Sequence, residues 1–354
     1  MNKQLLEYRM PAEWEPQKSV WLIWPYNQKD WPGLFNKIPE VYAKIIFELS
    51  KNQIVNLLIN KNADKKKIRK YLLNYDCKIF RIKFHIIKSD RVWIRDSGPI
   101  FLIRKKNKKK IILNFSFNGW SKYKNYKNDN KINNFISKKL NLKNIIPKIE
   151  KSGKFKNIVM EGGAFDVNGQ GSVILTKECL LSKVQERNFN FKKKDYEKIF
   201  SKYLNIKNFI WLNKGIIGDD THGHVDDIAR FVSKNTIMTA FEKNKDDKNF
   251  KSLKKNFEIL KKSRNENGNK FNIIKIPMPP PIYINKIRTP ASYLNFFITN
   301  RSVLLPVFKV KGERKVINLF KKNFKNKKIV PIDCKELIWG FGAIHCMTQQ
   351  EPKL

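Results

Sequence analysis

The stretch Gly162-Gly163-Ala164-Phe165-Asp166-Val167-Asn168-Gly169-Gln170-Gly171-Ser172-Val173-Ile174-Leu175-Thr176 decides the fold. Two short apolar runs flank Asn168-Gly169, the dipeptide that best tolerates the positive φ of a tight turn, so the segment reads as a β-hairpin. The same plan recurs at Asp227 to Ala240, turning near Ser233-Lys234-Asn235, and at Ser292 to Phe308, turning near Thr299-Asn300-Arg301. An earlier copy runs from Pro99 to Phe115 and turns on the lysine run Arg104-Lys105-Lys106-Asn107-Lys108-Lys109-Lys110.

Each hairpin is followed by a lysine-rich stretch with helical spacing: Asn130 to Leu140, Lys194 to Leu204, Asn249 to Lys261 and Lys315 to Phe324. A short apolar strand then follows, at Asn157 to Met160, Phe209 to Leu212, Ile273 to Ile276 and Lys328 to Ile332. Recurring hairpin, helix and strand units predict a ring of similar modules, because equivalent units can close on themselves and hide their sheet edges. The N-terminal part supplies a fifth module with help from the C-terminal strand. Its pieces are Val20 to Trp24, a helix over Ile38 to Ser50, Ile54 to Ile59, a helix near Lys65 to Leu73, and Lys78 to Ile87. The expectation is therefore one α/β domain spanning 1–354, a pseudo-symmetric five-module propeller with a central pocket.

The distinctive polar residues follow the same period. Asp96, Glu161 and His224 are 65 and 63 residues apart, Asn295 lies 71 further on and Cys346 another 51, each at or near the opening of a module. Equivalent positions in a closed ring point to its axis.

Composition narrows the possibilities. Lys and Arg number 73 against 31 Asp and Glu, a net charge of +42. That imbalance alone suggests an acidic partner, but the lysines are scattered among many Asn, Ile and Phe residues, all served by A/T-rich codons. A nucleic-acid surface would cluster its basic residues and interleave aromatics, so RNA binding by a catalytically idle protein stands only as an alternative from another class. Cys77, Cys179, Cys334 and Cys346 are too few and too dispersed for a disulfide scaffold. Met1 to Arg9 lacks the apolar core of a signal peptide, and no later run holds eighteen uninterrupted apolar residues. A reduced, cytoplasmic protein is expected, with no membrane contact.

Cys346 lies in Gly340-Phe341-Gly342-Ala343-Ile344-His345-Cys346, a glycine-loosened approach that suits a nucleophile. A thiol with its ordinary pKa of about 8.5 is only a few per cent ionised at neutral pH, so it needs a neighbouring cation or base. A guanidinium substrate could supply that charge, or His224 could accept the proton. Guanidinium is planar and binds carboxylates through paired N–H donors, a task that suits Asp96 and Asp226. Asp226 would share a face with His224 if that segment is extended. Glu161 reads as a second proton carrier or as an orienter of His224. Trp93 and Trp120 are candidates to line the pocket and stack on a cation. The competing reading is a metal site built from His222, His224, Asp226 and Cys346, but no pair has a recognised ligand spacing. Cys77, Cys179 and Cys334 read as small buried apolar groups.

Six co-linear motifs carry a family resemblance: Trp93-Ile94-Arg95-Asp96-Ser97-Gly98-Pro99, Phe117-Asn118-Gly119-Trp120, Met160-Glu161-Gly162-Gly163, Asp220-Thr221-His222-Gly223-His224-Val225-Asp226, Ser292-Tyr293-Leu294-Asn295-Phe296, and Ile344 to Gln350. From about Pro11 to Pro352 the chain resembles the agmatine deiminase and bacterial-type peptidylarginine deiminase family. The resemblance implies a five-module α/β propeller of the guanidine-modifying superfamily, without metal or organic cofactor. It implies Cys346 as nucleophile through a covalent amidino-enzyme, His224 as proton carrier, Asp96 and Asp226 as guanidinium clamps, and Glu161 as their assistant. Asn295 falls where relatives use a polar side chain, and relatives suggest a homodimer or larger assembly.

Three positions depart from the family pattern. His222 stands where agmatine-specific members commonly have Asn or Asp, Asp227 where they have Asn, and Phe341 interrupts a triple glycine. The implied reaction converts agmatine to N-carbamoylputrescine and ammonia, serving polyamine metabolism, with peptidyl-arginine or another guanidino compound as the alternative substrate. Agmatine's distal amine calls for a further carboxylate or aromatic, with Asp220, Asp227 and Trp120 as candidates.

Overall fold

The computed structural model of the protein describes residues 7–151 and 153–354; the first six residues of the N-terminal stretch read above lie outside them. Four three-stranded sheets share one construction, an antiparallel hairpin whose second strand pairs in parallel with a strand that returns after a helix. They are Ile100–Arg104, Lys109–Leu113 and Lys143–Ile145; Phe165–Val167, Ser172–Thr176 and Asn208–Leu212; Ala229–Ser233, Thr236–Phe241 and Asn272–Pro277; and Phe297–Ile298, Ser302–Val307 and Lys328–Asp333. The helices between second and third strands include Ile132–Leu140, Lys193–Leu204, Phe250–Lys262 and Glu313–Asn323.

The two ends of the chain build the fifth sheet. Gln349–Pro352 pairs antiparallel with Gln17–Ile23, which pairs in parallel with Ile54–Ile59 and, through it, with Ile82–Ile86. The C-terminal strand thus stands where each other sheet has the first arm of its hairpin.

Burial explains the pattern. The middle strand Ser172–Thr176 is buried throughout, with the apolar run Val173-Ile174-Leu175 at its centre. Helix Phe250–Lys262 buries Leu253, Asn256 and Leu260, an i, i+3, i+7 stripe, and turns its lysines outward.

Three details differ from the sequence reading. Asn168-Gly169 opens a four-residue connection rather than closing a two-residue turn: the Asn168 Oδ1 accepts the Gln170 and Ser172 amides at 2.9 and 3.0 Å, and Gly169 and Gly171 both have positive φ. The third strand of the first hairpin sheet is Lys143–Ile145, not Asn157 to Met160; the latter leaves a separate small hairpin, Lys148–Lys151 with Lys154–Asn157, and makes only a bridge from Val159 to Ser116. Lysine and asparagine mask the true strand because only three residues need to pair. The strand placed at Lys78 to Ile87 starts with a 3-10 turn, Ile79–Arg81, and pairs only over Ile82–Ile86.

Glu351 stitches the chain ends together. It is 1% exposed, accepts a hydrogen bond from Ser19 Oγ at 2.6 Å, and pairs with the buried Lys110 ammonium of the adjacent hairpin. Glu351→Ala would leave that ammonium buried without its partner, so a loss of about 3–5 kcal/mol is expected in urea unfolding. The double variant Lys110→Met with Glu351→Leu should recover most of it.

Candidate active site

Each of the five sheets is entered through a turn that carries one distinctive polar residue. Asp96 lies in the helical turn Ile94–Ser97 before strand Ile100–Arg104, and Glu161 precedes the turn Gly162–Ala164 that leads into Phe165–Val167. His224 caps the turn Val225–Asp227 before Ala229–Ser233, Asn295 sits two residues before Phe297–Ile298, and Cys346 three before Gln349–Pro352. All five residues are at most 6% exposed. The turns meet so closely that a Cβ on Gly163 would lie 2.6 Å from His224 Nδ1 and 2.8 Å from Asp96 Oδ1, and one on Gly162 would lie 2.2 Å from the Arg95 carbonyl. Only glycine lets the backbone approach this near.

Cys346 Sγ lies 3.0 Å from the Asn295 amide nitrogen, which donates to it, and 3.7 Å from Asp226 Oδ2. Asn295 also accepts the Cys346 and His345 backbone amides on its Oδ1, so one side chain fixes both the sulfur and the turn that bears it. Burial first, then the negative charges of Asp226, Asp227 and Asp96, push the Cys346 thiol well above its ordinary pKa. The surroundings therefore favour the neutral, protonated form of the sulfur. Asp227 is likewise pushed well up by burial and by Asp226 and Asp219, and its Oδ1 accepts from the Asn295 amide at 3.0 Å.

His224 lies between two carboxylates, with Nδ1 at 3.7 Å from Asp96 Oδ1 and Nε2 at 3.9 Å from Glu161 Oε2. Burial opposes its charge, yet Asp96, Cys179 and Glu161 outweigh that and raise its pKa well above the ordinary value. Asp96 is held by the Gly163 amide at 3.0 Å and the Trp120 indole N–H at 2.9 Å. Burial lifts its pKa to about 6 against the pull of His224. Burial pushes the other way at Glu161 too, but Arg187, whose Nε donates to Oε1 at 3.1 Å, and His224 bring it down to about 2. The segment carrying His224 and Asp226 is a 3-10 turn rather than an extended strand, so the two side chains diverge: His224 faces Asp96 and Glu161, while Asp226 faces Cys346 and His345.

Trp93, Asp96, Trp120, Asp220 and Cys346 line one narrow cleft, together with Arg91 and Phe341. Trp120 has its indole nitrogen committed to Asp96, and Asp220, at the rim, already pairs with Lys122 and accepts from the Tyr123 hydroxyl at 2.5 Å. His222 turns away from the cavity toward Ser182 Oγ, 2.9 Å from its Nε2. Among the described residues, the group of potential metal ligands that comes together is Glu161, Cys179 and His224, not the set with His222 and Cys346 weighed from sequence.

Several contributors escaped the sequence reading. His345 bridges Asp226 Oδ2, 2.7 Å from Nδ1, and Glu13 Oε2, 2.8 Å from Nε2. Both carboxyls are drawn below their ordinary pKa against the opposing effect of burial, Asp226 chiefly by His345 and Glu13 by Arg230 and His345. Glu13 in turn pairs with Arg230 at 2.9 Å and with Arg95 at 3.5 Å. His345 adjoins the cysteine and was visible as part of its motif; Glu13 and Arg187 sit in segments without any pattern.

Fold and site together define an α/β enzyme of the deiminase class, acting on a guanidino C–N bond. A sequence profile described as Porphyromonas-type peptidyl-arginine deiminase matches residues 9–352, and the chain belongs to that family. A Legionella pneumophila (strain Philadelphia 1) protein with the provisional name agmatine deiminase is 34% identical over 349 residues, covering 98% of this chain and 95% of its own. The solved agmatine deiminase of Enterococcus faecalis superposes with a TM-score of 0.87 at 27% identity, over 98% and 96% of the two chains. A substrate-bound agmatine deiminase of C. jejuni gives 0.85 at 28%, over 98% and 96%.

The electrostatics dictate how the thiol responds to pH. Because Asp226 raises the thiol pKa, alkylation of Cys346 in the free protein should climb with pH without levelling off by pH 9, the ordinary thiol value. Asp226→Asn removes one of those charges and should speed alkylation at neutral pH roughly tenfold or more, one pKa unit being tenfold in thiolate, while turnover falls. Mass mapping of the alkylated cysteine after timed quenching checks both.

Proposed function

We propose that the protein hydrolyses agmatine to N-carbamoylputrescine and ammonia through a covalent Cys346 amidino-enzyme. The observation that carries this reading is the sulfur's setting: a buried thiol 3.7 Å from Asp226, held neutral by three acidic neighbours, is a nucleophile waiting for a cation. A guanidinium about 4 Å away contributes about 4 kcal/mol at an effective dielectric constant of about 20. That is about three pKa units, in the direction that favours the thiolate, so the substrate itself acts as the switch.

The chemistry follows the positions. Asp96 and Asp226 bind the guanidinium edges and fix its central carbon over Sγ, an orientation effect that lowers the barrier. The thiolate adds to that carbon, and His224 protonates the departing nitrogen, which leaves as ammonia. The imidazole then takes a proton from water, the hydroxide attacks the amidino carbon, and collapse of the adduct expels the thiolate while the new hydroxyl gives its proton to solvent, freeing the neutral ureido product. Glu161, anchored by Arg187, keeps the imidazole in place and its charge favourable. Asn295 steadies the sulfur through both halves, and Trp93 and Trp120 wall the cavity against water.

The narrow cavity favours a slim substrate such as agmatine over a peptide, and the names of the relatives point the same way. Asp220 at the rim would meet the distal amine by exchanging its hold on Lys122. The five sheets, each opened by one site residue, support the reading of the whole chain as a single catalytic ring of five modules. Among the described residues no helix is long and apolar enough to cross a membrane, and a small-molecule reaction in polyamine metabolism suits a cytoplasmic enzyme.

Intact-protein mass spectrometry after brief mixing with agmatine should show a transient amidino adduct on Cys346, with Cys346→Ser lacking both adduct and turnover. Faster release of ureido product from arginyl peptides than from agmatine would overturn the substrate assignment.

A further inference from the structure

Three potential metal ligands stand together beside the cavity. Glu161 offers a carboxylate oxygen, Cys179 a thiol sulfur and His224 a ring nitrogen, all within 4.8 Å of one another. All three residues are at most 1% exposed. Glu161 Oε2 and both His224 nitrogens have no hydrogen-bond partner, although buried polar atoms nearly always find one. Arg187 occupies the other oxygen, Oε1, at 3.1 Å, which leaves Oε2 free and aimed at the imidazole. Cys179 itself is fixed by its place at the start of helix Lys177–Leu181, where its amide donates to Thr176 Oγ1 at 3.2 Å.

We propose that Glu161, Cys179 and His224 form a site for a soft divalent cation of the zinc and cadmium class, and that occupancy stops catalysis. Imidazole, thiolate and carboxylate are the donors such ions select. Bonds of about 2.0–2.3 Å in a tetrahedral array place ligand atoms roughly 3.3–3.8 Å apart; Nε2 and Oε2 already stand at 3.9 Å. As the metal binds, Cys179 and the imidazolium each release a proton to solvent, and no electron is transferred. The Cys179 thiolate and the carboxylates of Glu161 and Asp96, the latter 3.7 Å from the same ring, offset the two charges of the ion and that of Arg187, and water completes the fourth position.

The two edges of the ring separate this site from the substrate's. Nδ1 faces Asp96 at 3.7 Å and lies beside Gly163, on the side of Asp226, which touches Cys346. Nε2 faces Glu161. A metal on the Nε2 edge captures the proton carrier without filling the guanidinium position, so it lowers kcat and leaves KM nearly unchanged. A metal bridging Cys346 and His224 would instead compete with substrate.

The test uses the full chain. Cadmium titrated into Cys346→Ala should produce an ultraviolet cadmium–thiolate band that saturates at one ion per chain, and the band should vanish in Cys346→Ala with Cys179→Ala or Cys179→Ser. Zinc should inhibit the unaltered enzyme through kcat, and Cys179→Ala and Cys179→Ser should stay active with at least tenfold weaker inhibition. No band in Cys346→Ala, a band that survives loss of Cys179, or inhibition that is purely competitive would overturn the proposal. The inhibition arm rests on the proton-carrying role of His224 proposed above, whereas the binding arm does not: cadmium bound at Cys179 with turnover intact would leave the site standing and remove that role.

Discussion

A sulfur surrounded by carboxylates is the constraint around which the rest is arranged. Asp96, Asp226 and Asp227 all act on Cys346 to keep its proton on, and all are buried where water cannot soften their repulsion. Such a cluster costs folding stability and persists because the surrounding structure over-determines it. Arg187 balances Glu161, and His345 lies within hydrogen-bond distance of Asp226. In the proposed mechanism the remaining imbalance is answered when the cationic substrate enters. The surface is strongly basic, with a net charge of +42, but screening over about 8 Å at physiological salt confines that repulsion to the exterior.

Behind the cavity runs a second layer that holds the first in place. Asp226 leans on His345, His345 on Glu13, and Glu13 on Arg230, whose Nη1 also donates to the Leu294 and Phe296 carbonyls next to Asn295. Arg95, one residue from Asp96, donates through its amide to the Cys346 carbonyl at 3.1 Å. These contacts tie the turns of four sheets to one ionic chain, so the position of the thiol relative to Asp226 is set by groups that touch no substrate. Charge-assisted bonds of this kind are strong when every member is satisfied and costly when one is lost.

Much of this was legible in the sequence because repetition leaves a record. The hairpin, helix and strand units are apolar runs broken by turn residues, and the regular intervals between Asp96, Glu161, His224, Asn295 and Cys346 announced that the turns would converge. Lys143–Ile145 escaped because three paired residues among lysine and asparagine carry no periodicity. The 3-10 geometry at Val225–Asp227 escaped because local spacing cannot distinguish a turn from a strand over three residues. Glu13 lies 332 positions from His345, and Arg187 sits 26 from Glu161 in a loop that reads as surface. No short-range pattern encodes contacts at such separations. Cys179 looked like any apolar cysteine until the fold set it beside His224.

The central claim is that the substrate's own charge creates the nucleophile. Its most direct test is the ionisation state of Cys346, followed by ultraviolet thiolate absorbance at neutral pH in the free enzyme and then with a saturating, unreactive amidinium analogue, using Cys346→Ser as the blank. A thiol in the free enzyme that becomes a thiolate when the cation binds is the predicted result. A thiolate already present without the cation, or none with it, would contradict the account.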